Sequence, residues 1–351
     1  MKKLKKTYKK RLFRLAKRAA SRKLRSKKKK VVFKSLTRIN APKTINLTRG
    51  SGLELMEFID KVRKAVAKNR HVRLNFFQTR HFYVPGAIKL YAELSLIVEI
   101  AKLKGVRKVI TIVPPKENRA AQVMKQIGFF VLSNDTYDIK TTRDDVIYWK
   151  LATGTNQSGE KLEILDTVAK TVNLKQQNRI EASGLWRGVS EAVNNAHEHA
   201  YSVDRKSRSL VINTKWWMLT QVRDNTLTLA VCDLGCGYKL TIKQEIWEFI
   251  SKSLTGLLLG NQNEDTRAIR GAMEYGRSST NKTERGKGSR DAMTLLESVG
   301  NIKEPSTLYV LSNKGYLIYS YDGKETKLKS TDTLDFDSKG SIVWWNLQLG
   351  E

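Results

Sequence analysis

The chain of 351 residues is poor in N-terminal acidic residues, in cysteines and in long apolar runs. It has no acidic residue before Glu54, it has only two cysteines, and no apolar run approaches the ~20 residues that span a membrane. Cys232 and Cys236 are too few for a disulfide framework and lack the paired spacing of a metal site. We therefore expect a cytoplasmic protein without a transmembrane segment or a secretory signal.

Basic residues are concentrated at the N-terminus. The chain has a net charge of +31, and 21 Lys and Arg residues precede Leu53. Such a segment repels itself unless a polyanion binds it. The sequence predicts that this basic arm, residues 1–50, contacts nucleic acid through its phosphates, because aromatic residues are few. An anionic membrane surface and a protein partner are the alternatives.

Residues 51–152 alternate helical and strand-like patterns. Helices are predicted at Leu53–Ala67, Ala87–Lys104 and Asn118–Ile127, and strands at His71–Phe77 and Val109–Val113. This order indicates a small α/β layer domain. The polar, glycine-rich run from Thr153 to Glu160 is typical of a linker, so residues 153–351 are predicted to form a second α/β domain.

The second domain is predicted to begin with two helices and to end with three strands. The helices cover about Gly159–Leu174 and Ala182–Tyr201, followed by strands at Ser209–Trp217 and Thr226–Cys232. A long irregular stretch to Arg290 precedes a helix from Asp291 and strands at Leu308–Val310, Leu317–Tyr321 and Ser341–Leu349.

The helix around residue 190 carries two side chains suited to phosphoryl transfer. A helical wheel places its apolar positions on one face, namely Leu185, Val189, Ala192 and Ala196. Glu191 and Asn195 then lie together on one flank, one turn apart, whereas Asn194 points nearly opposite the core. The amide oxygen can bind Mg²⁺, and the carboxylate can orient or deprotonate a hydroxyl. Solvated polar residues on a helix flank are the alternative interpretation.

Two glycine-rich turns follow this helix. A buried strand ends in Asp233-Leu-Gly-Cys-Gly237, where the carboxylate can accept a hydrogen bond from an exocyclic amine, and Gly235 and Gly237 let the backbone approach a base. The second turn, Gly286-Lys-Gly-Ser289, runs into a helix. Backbone amides at that helix N-terminus, with Lys287 beside them, predict an anion site for phosphates.

In this order, the three elements resemble the ATP-binding domain of the gyrase, heat-shock-chaperone, histidine-kinase and MutL (GHKL) superfamily. The resemblance runs from Gly184 to the C-terminus, and the helix motif is closest to that of anti-sigma-factor serine kinases. It implies an α/β sandwich that binds ATP and Mg²⁺ under a lid, residues 238–285. The implied roles are general base for Glu191, metal ligand for Asn195 and pocket rim for His199. The implied ATP-binding residues are Asn195, His199, Asp233, Gly235, Gly237, Gly286, Lys287, Gly288 and Ser289.

The first domain resembles the STAS domains of anti-sigma-factor antagonists. The resemblance is carried by the strand, turn and helix of Arg73–Tyr91, by Gly105–Pro115 and by Gly128-Phe-Phe. The phosphorylatable Asp-Ser of that family is missing, and Asn75–Thr79 occupies the corresponding region. Fusion of the two domains implies that one is regulated by the nucleotide state of the other.

These features predict an ATP-driven regulatory or effector protein in which Glu191 activates water for hydrolysis. A serine/threonine protein kinase of the anti-sigma-factor type is one alternative. A non-catalytic, nucleotide-dependent switch is another. Homodimerisation is left open by the sequence.

Overall fold

The computed structural model describes most of the two predicted α/β regions. The described residues are 36–48, 50–68, 70–106, 108–155, 182–198, 200–201, 215–242, 244–252, 262–278, 288–297 and 304–349. Most of the basic arm, the predicted helix Gly159–Leu174, His199, Gly286 and Lys287 lie outside them. The mixed α/β class is confirmed.

A three-stranded parallel sheet forms the centre of the first region. Its strands are β1 (Leu36–Asn40), β3 (His71–Asn75) and β5 (Ile110–Val113), in the order β1-β3-β5. A second parallel pair joins β2 (Thr44–Ile45) to β4 (His81–Phe82). Parallel strands need crossover connections, and helices provide them here.

The helices of the first region differ in how far they are buried. They are α1 (Ser51–Ala67), α2 (Val84–Leu103), α3 (Asn118–Gln126), α4 (Phe129–Ser133) and α5 (Asp144–Ile147). Helix α1 buries one face, with Leu55, Ile59 and Val62 inside and charged residues outside. Helix α2 is apolar almost all round and is therefore buried on most sides.

The second region contains a seven-stranded antiparallel sheet in the order β11-β10-β9-β12-β8-β7-β6. Its strands are β6 (Lys150–Gly154), β7 (Trp216–Arg223), β8 (Thr226–Asp233), β9 (Ser306–Ser312), β10 (Gly315–Tyr321), β11 (Thr326–Thr333) and β12 (Ser341–Gln348). In the centre of the sheet, β12 pairs with β8 on one side and with β9 on the other, so segments distant in sequence lie side by side.

Helices cover both faces of this sheet. Those of the second region are α6 (Ala182–Glu198), α7 (Tyr238–Thr241), α8 (Gln244–Lys252), α9 (Glu264–Ser278) and α10 (Gly288–Glu297). On β7, Trp216 and Met218 belong to the core with α6 and α10, whereas Trp217 and Leu219 belong to the core with α2. Because successive strand residues point to opposite faces, α2 packs on the face opposite to α6 and α10. The two regions therefore share the sheet as a common layer.

Some elements differ from the sequence prediction. Strands β1 and β2 lie within residues 1–50, the range predicted for the arm, because Ile39 and Ile45 are buried in the first core. The predicted boundary at 152/153 falls inside β6, which pairs with β7. The stretch 238–290 was expected to be irregular, but three helices and the start of α10 lie in it. No helix among the described residues is long and apolar enough to cross a membrane.

Candidate functional site

Asp233 is the last residue of β8 and lies at the end of the seven-stranded sheet. Its side chain is buried, with 6% of its surface exposed. Its Oδ1 accepts hydrogen bonds from the backbone N–H groups of Gly235, at 2.8 Å, and Ser341, at 3.3 Å. The Gly235 bond fixes the turn after β8, and the Ser341 bond ties that turn to the first residue of β12.

Burial raises the pKa of Asp233 from 3.8 to about 6. The N–H groups of Gly235 and Ser341, the Ser341 hydroxyl and the positive charge of Lys89 lower this pKa, but they offset only part of the desolvation. Among the described residues, no Lys or Arg forms an ion pair with this carboxylate. A buried carboxylate without a counter-ion is well suited to accept a hydrogen bond from a bound ligand, because the bond would compensate lost hydration.

The turn after Asp233 fits closely between two other segments. A Cβ at Gly235 would lie 2.2 Å from the carbonyl oxygen of Ala200, just after α6. The same carbonyl accepts a hydrogen bond from the Cys236 N–H at 2.8 Å. Only glycine allows this approach, so the first glycine of the motif is required by packing against the end of α6.

Gly237 contacts the turn between β9 and β10. Its φ is +80°, and a Cβ there would lie 2.5 Å from Asn313 Nδ2 and 2.6 Å from Ser312 Oγ. Ser312 Oγ also accepts a hydrogen bond from the Tyr238 N–H at 3.0 Å. The glycine motif is therefore held by backbone and side-chain contacts from both β9 and the end of α6.

Glu191 and Asn195 lie one turn apart on α6, and both are half-buried. The buried face of this helix comprises Leu185, Val189, Val193 and Ala196. Val193 thus occupies the core position expected for Ala192, which is only half-buried. The change rotates the core face slightly and leaves Glu191 and Asn195 outside it.

Tyr238 connects the helix to the glycine turn. Burial raises the pKa of its hydroxyl, and the charges of Asp233 and Glu191 raise it further. Tyr238 is therefore near both carboxylates, and it packs against the core of the second region. The charges of Glu191 and Asp233 thus both act on the Tyr238 hydroxyl.

Two further polar atoms on α6 are buried and have no partner among the described residues. Asn194 Oδ1 and His197 Nδ1 have no hydrogen bond within the part of the chain that the structure describes. Asn194 was expected to point away from the core, so its buried oxygen is a departure from the wheel prediction. Buried acceptors of this kind are few in folded proteins and are often satisfied by water or a ligand.

Gly288 and Ser289 are the first two residues of α10, which packs along α6 and β9. Trp345 Nε1 on β12 donates a hydrogen bond to Ala292 O at 2.9 Å, which fixes α10 against the sheet. The helix predicted from Asp291 thus begins at Gly288, within the second glycine motif, whereas Gly286 and Lys287 lie outside the described residues.

Sequence reasoning assigned no role to three residues that shape this site, namely Tyr238, Ser312 and Ser341. Ser312 and Ser341 belong to stretches that the resemblance includes, but only the sheet order β9-β12-β8 places them beside Asp233. Their hydroxyl oxygens are 3.3 Å apart. The alternation of buried and exposed residues along β9 and β12 does not show that Ser312 and Ser341 are neighbours, because that depends on the order of the strands in the sheet.

A second buried polar cluster joins the first region to the same end of the sheet. On α2, Lys89 and Glu93 are each 1% exposed and form an ion pair at 3.0 Å, and Arg63 of α1 pairs with Glu93 as well. Lys89 Nζ also donates to the carbonyl oxygen of Lys339 at 2.6 Å. Lys339 is two residues before Ser341, so this cluster holds the segment that donates to Asp233.

No group of three or more His, Cys, Asp and Glu side chains that could hold a metal ion occurs among the described residues. A magnesium ion held mainly by phosphate oxygens and water needs few protein ligands, and a single amide such as Asn195 suits that role. No protein-family model matches this chain, and comparison with curated proteins finds no significant match.

Proposed function

We propose that this protein binds ATP and Mg²⁺ through a site of the GHKL type, formed by α6, the turn after β8 and the start of α10. The observation that carries the proposal is the buried carboxylate of Asp233, which no described cation pairs with, at the entrance of a closely packed glycine turn. The exocyclic amine of adenine would donate a hydrogen bond to this carboxylate.

The helix α6 supplies the groups for the phosphates. Asn195 contributes an amide oxygen to Mg²⁺, and Glu191 accepts a proton from an attacking water or hydroxyl. Magnesium, when bound, neutralises charge on the phosphate oxygens. The backbone amides at the start of α10 favour an anion, since the positive end of the helix dipole lies there.

Two cationic residues on α9 differ in their availability to the nucleotide. Arg270 Nε is hydrogen-bonded to Glu274 at 2.6 Å. Arg267 Nε is buried and lacks a hydrogen-bond partner in the described part of the chain. Arg267 is therefore the better candidate among the described lid residues for a contact with the γ-phosphate.

The physiological role that fits these parts is an ATP-dependent regulatory or effector protein. Residues 1–35 of its basic arm contact nucleic acid, and its STAS-like region responds to nucleotide. The contact of Lys89 with the Lys339 carbonyl supports this coupling, because it connects α2 to the segment that bonds Asp233.

Magnesium-dependent phosphate release from ATP tests the proposal in the full-length protein, with and without RNA or DNA. Glu191→Gln should reduce release by about two to four orders of magnitude, the usual contribution of a general base. Asn195→Ala should lower release and raise the magnesium concentration that release requires, because it removes the proposed protein ligand of the ion. Glu54→Gln makes the same change at an exposed carboxylate of α1, outside the proposed site, and should retain release.

The outcomes separate the proposed activities. Free phosphate that disappears in the Glu191 variant supports hydrolysis, whereas phosphate transferred to a protein hydroxyl supports a kinase. Retained ATP binding with no turnover in any variant supports a nucleotide-dependent switch. Failure of the wild-type protein to bind ATP would contradict the proposal itself.

A further inference from the structure

An open groove of about 500 Å³ lies on the first region, away from the seven-stranded sheet. One side is β1, and the other is the C-terminal half of α1 with the residue that leads into β3. Its basic side chains come from both sides, from β1 and from the end of α1 with the residues just after it, and are Arg38, Lys61, Lys64, Lys68 and Arg70. None of the described residues that line the groove is acidic.

Most of these cations have no counter-ion among the residues that the structure describes. Lys61 pairs with Glu57 at 3.5 Å, and both side chains are largely exposed, so the pair is weak. Within the described ranges, Arg38, Lys64, Lys68 and Arg70 form no ion pair. Like charges that converge on a concave surface repel one another, and a bound anion would relieve that repulsion.

Two ordinary roles account for only part of this charge. Lys64 and Lys68 lie at the end of α1, where the helix dipole favours a cation, but that dipole is equivalent to roughly half a charge. Arg38 lies on β1, which is an edge strand in the described sheet, and a charged residue there opposes edge-to-edge association. Neither role accounts for Arg70, which lies two residues beyond Lys68, just before β3, and adds a further cation to the same side of the groove.

We infer that this groove binds the phosphate backbone of a nucleic acid. Residues 1–35 of the basic arm immediately precede β1 in the sequence and include no acidic residue, so the part of the chain next to the groove in sequence adds only positive charge. A concave surface with cations on both sides suits a rod-like or extended polyanion better than a flat membrane surface. The ligand class is that proposed for the arm, whereas the groove is a separate site in the folded part of the chain.

The salt dependence of nucleic-acid binding tests this inference in the full-length protein. Fluorescence anisotropy with a short labelled DNA duplex would be measured across a salt series. Lys64→Ala, Lys68→Ala and Arg70→Ala together should lower the slope of log K against log salt by about two to three, since each lost phosphate contact removes about 0.9. Affinity at physiological salt should fall at least about tenfold.

Two exposed lysines on the other sheet give a matched control. Lys324 and Lys329, in the turn before β11 and on β11, should leave the slope unchanged when both become alanine. A slope in the groove variant equal to that of the control would overturn the inference. The inference would also be overturned if the groove variant bound poly-glutamate more weakly but bound the duplex as tightly as the wild type. That result would identify an acidic protein as the partner.

The same variants separate this site from the nucleotide site and from the arm. Thermal unfolding and ATP binding should be unchanged in the groove variant, because none of its residues contacts the turn after β8. If the groove variant shows the expected fall in the salt slope but the protein binds no ATP, the groove inference is supported and the nucleotide proposal is contradicted. Nucleic-acid binding that depends only on residues 1–35 would support binding by the arm and would contradict the groove inference.

Discussion

Asp233 and Glu93 are both buried carboxylates, and they lie at opposite ends of one chain of contacts. Burial alone would raise the Glu93 pKa, but the charges of Lys89 and Arg63 outweigh it, and the pKa is lowered. Burial of Asp233 has no equal compensation, and its pKa rises to about 6. A buried carboxylate paired with two cations stabilises the structure. The Asp233 carboxylate, held by two backbone N–H groups and the Ser341 hydroxyl with Lys89 further away, keeps capacity for a ligand.

The largest effect should come from breaking the Glu93 cluster. Glu93→Ala leaves Lys89 buried without its carboxylate partner, and we expect the free energy of unfolding to fall by about 3–5 kcal/mol. Urea unfolding measures the change. Glu57→Ala removes an exposed pair with the same spacing on α1 and should change stability by less than about 0.5 kcal/mol. Equal effects of the two substitutions would remove the distinction between the buried and the exposed pair.

The next effect concerns the ionisation of Asp233. Between pH 3.8 and about 6 the folded protein holds a proton that the unfolded chain has released, because the folded-state pKa is raised. Wild-type stability should therefore fall as pH rises through this window, by about 3 kcal/mol relative to Asp233→Asn. Chemical unfolding of both proteins at several pH values checks this. A pH-independent difference would show that the carboxylate is ionised without cost.

A smaller effect should follow from filling the space at Gly235. Gly235→Ala forces a methyl group against the Ala200 carbonyl, and we expect a loss of about 1–3 kcal/mol with weaker ATP binding. Gly105→Ala is a useful comparison, because its φ is +82° but no atom lies within 4 Å of the added Cβ. That variant should lose some stability and keep its nucleotide affinity. Equal ATP affinities of the two variants would show that the turn after β8 is not part of the ATP site.

The smallest effect tests how α2 is attached to the sheet. Ser95 Oγ accepts a hydrogen bond from Trp217 Nε1 at 3.2 Å. Ser95→Ala leaves that buried N–H unpaired and should cost about 1–3 kcal/mol, towards the lower end because one neutral bond is lost. Thermal unfolding measures the loss, and Trp217 fluorescence should report the change in its surroundings. A fully neutral substitution would mean that packing alone holds α2.

Local pattern was sufficient for much of the fold. The predicted helices at Leu53–Ala67 and Asn118–Ile127 match α1 and α3 closely, since their apolar periodicity is strong. Strand β11 was missed because its sequence, Thr-Lys-Leu-Lys-Ser-Thr-Asp-Thr, is polar. Strand β6 was missed because a Thr- and Gly-containing segment resembles a linker, and only its pairing with β7 defines it.

The candidate site was partly predictable for the same reason. Glu191 and Asn195 follow from helical spacing, and Asp233 follows from its position at a strand end. Ser341 and Lys89 reach Asp233 only through the strand order and through the packing of α2 on the sheet. Contacts between residues more than a hundred positions apart have no local signature. Lys89 and Glu93, four apart in an apolar helix, were the available signal for the buried cluster.

The most direct test of the central claim is calorimetric titration of the full-length protein with ATP and Mg²⁺ in buffers of different ionisation enthalpy. If Asp233 accepts a hydrogen bond from the nucleotide, binding at pH 6 should release about half a proton per site more than binding at pH 8. Asp233→Asn should bind more weakly and lose this extra proton release. Absence of ATP binding, or binding with the same proton release in wild type and variant, would contradict the account.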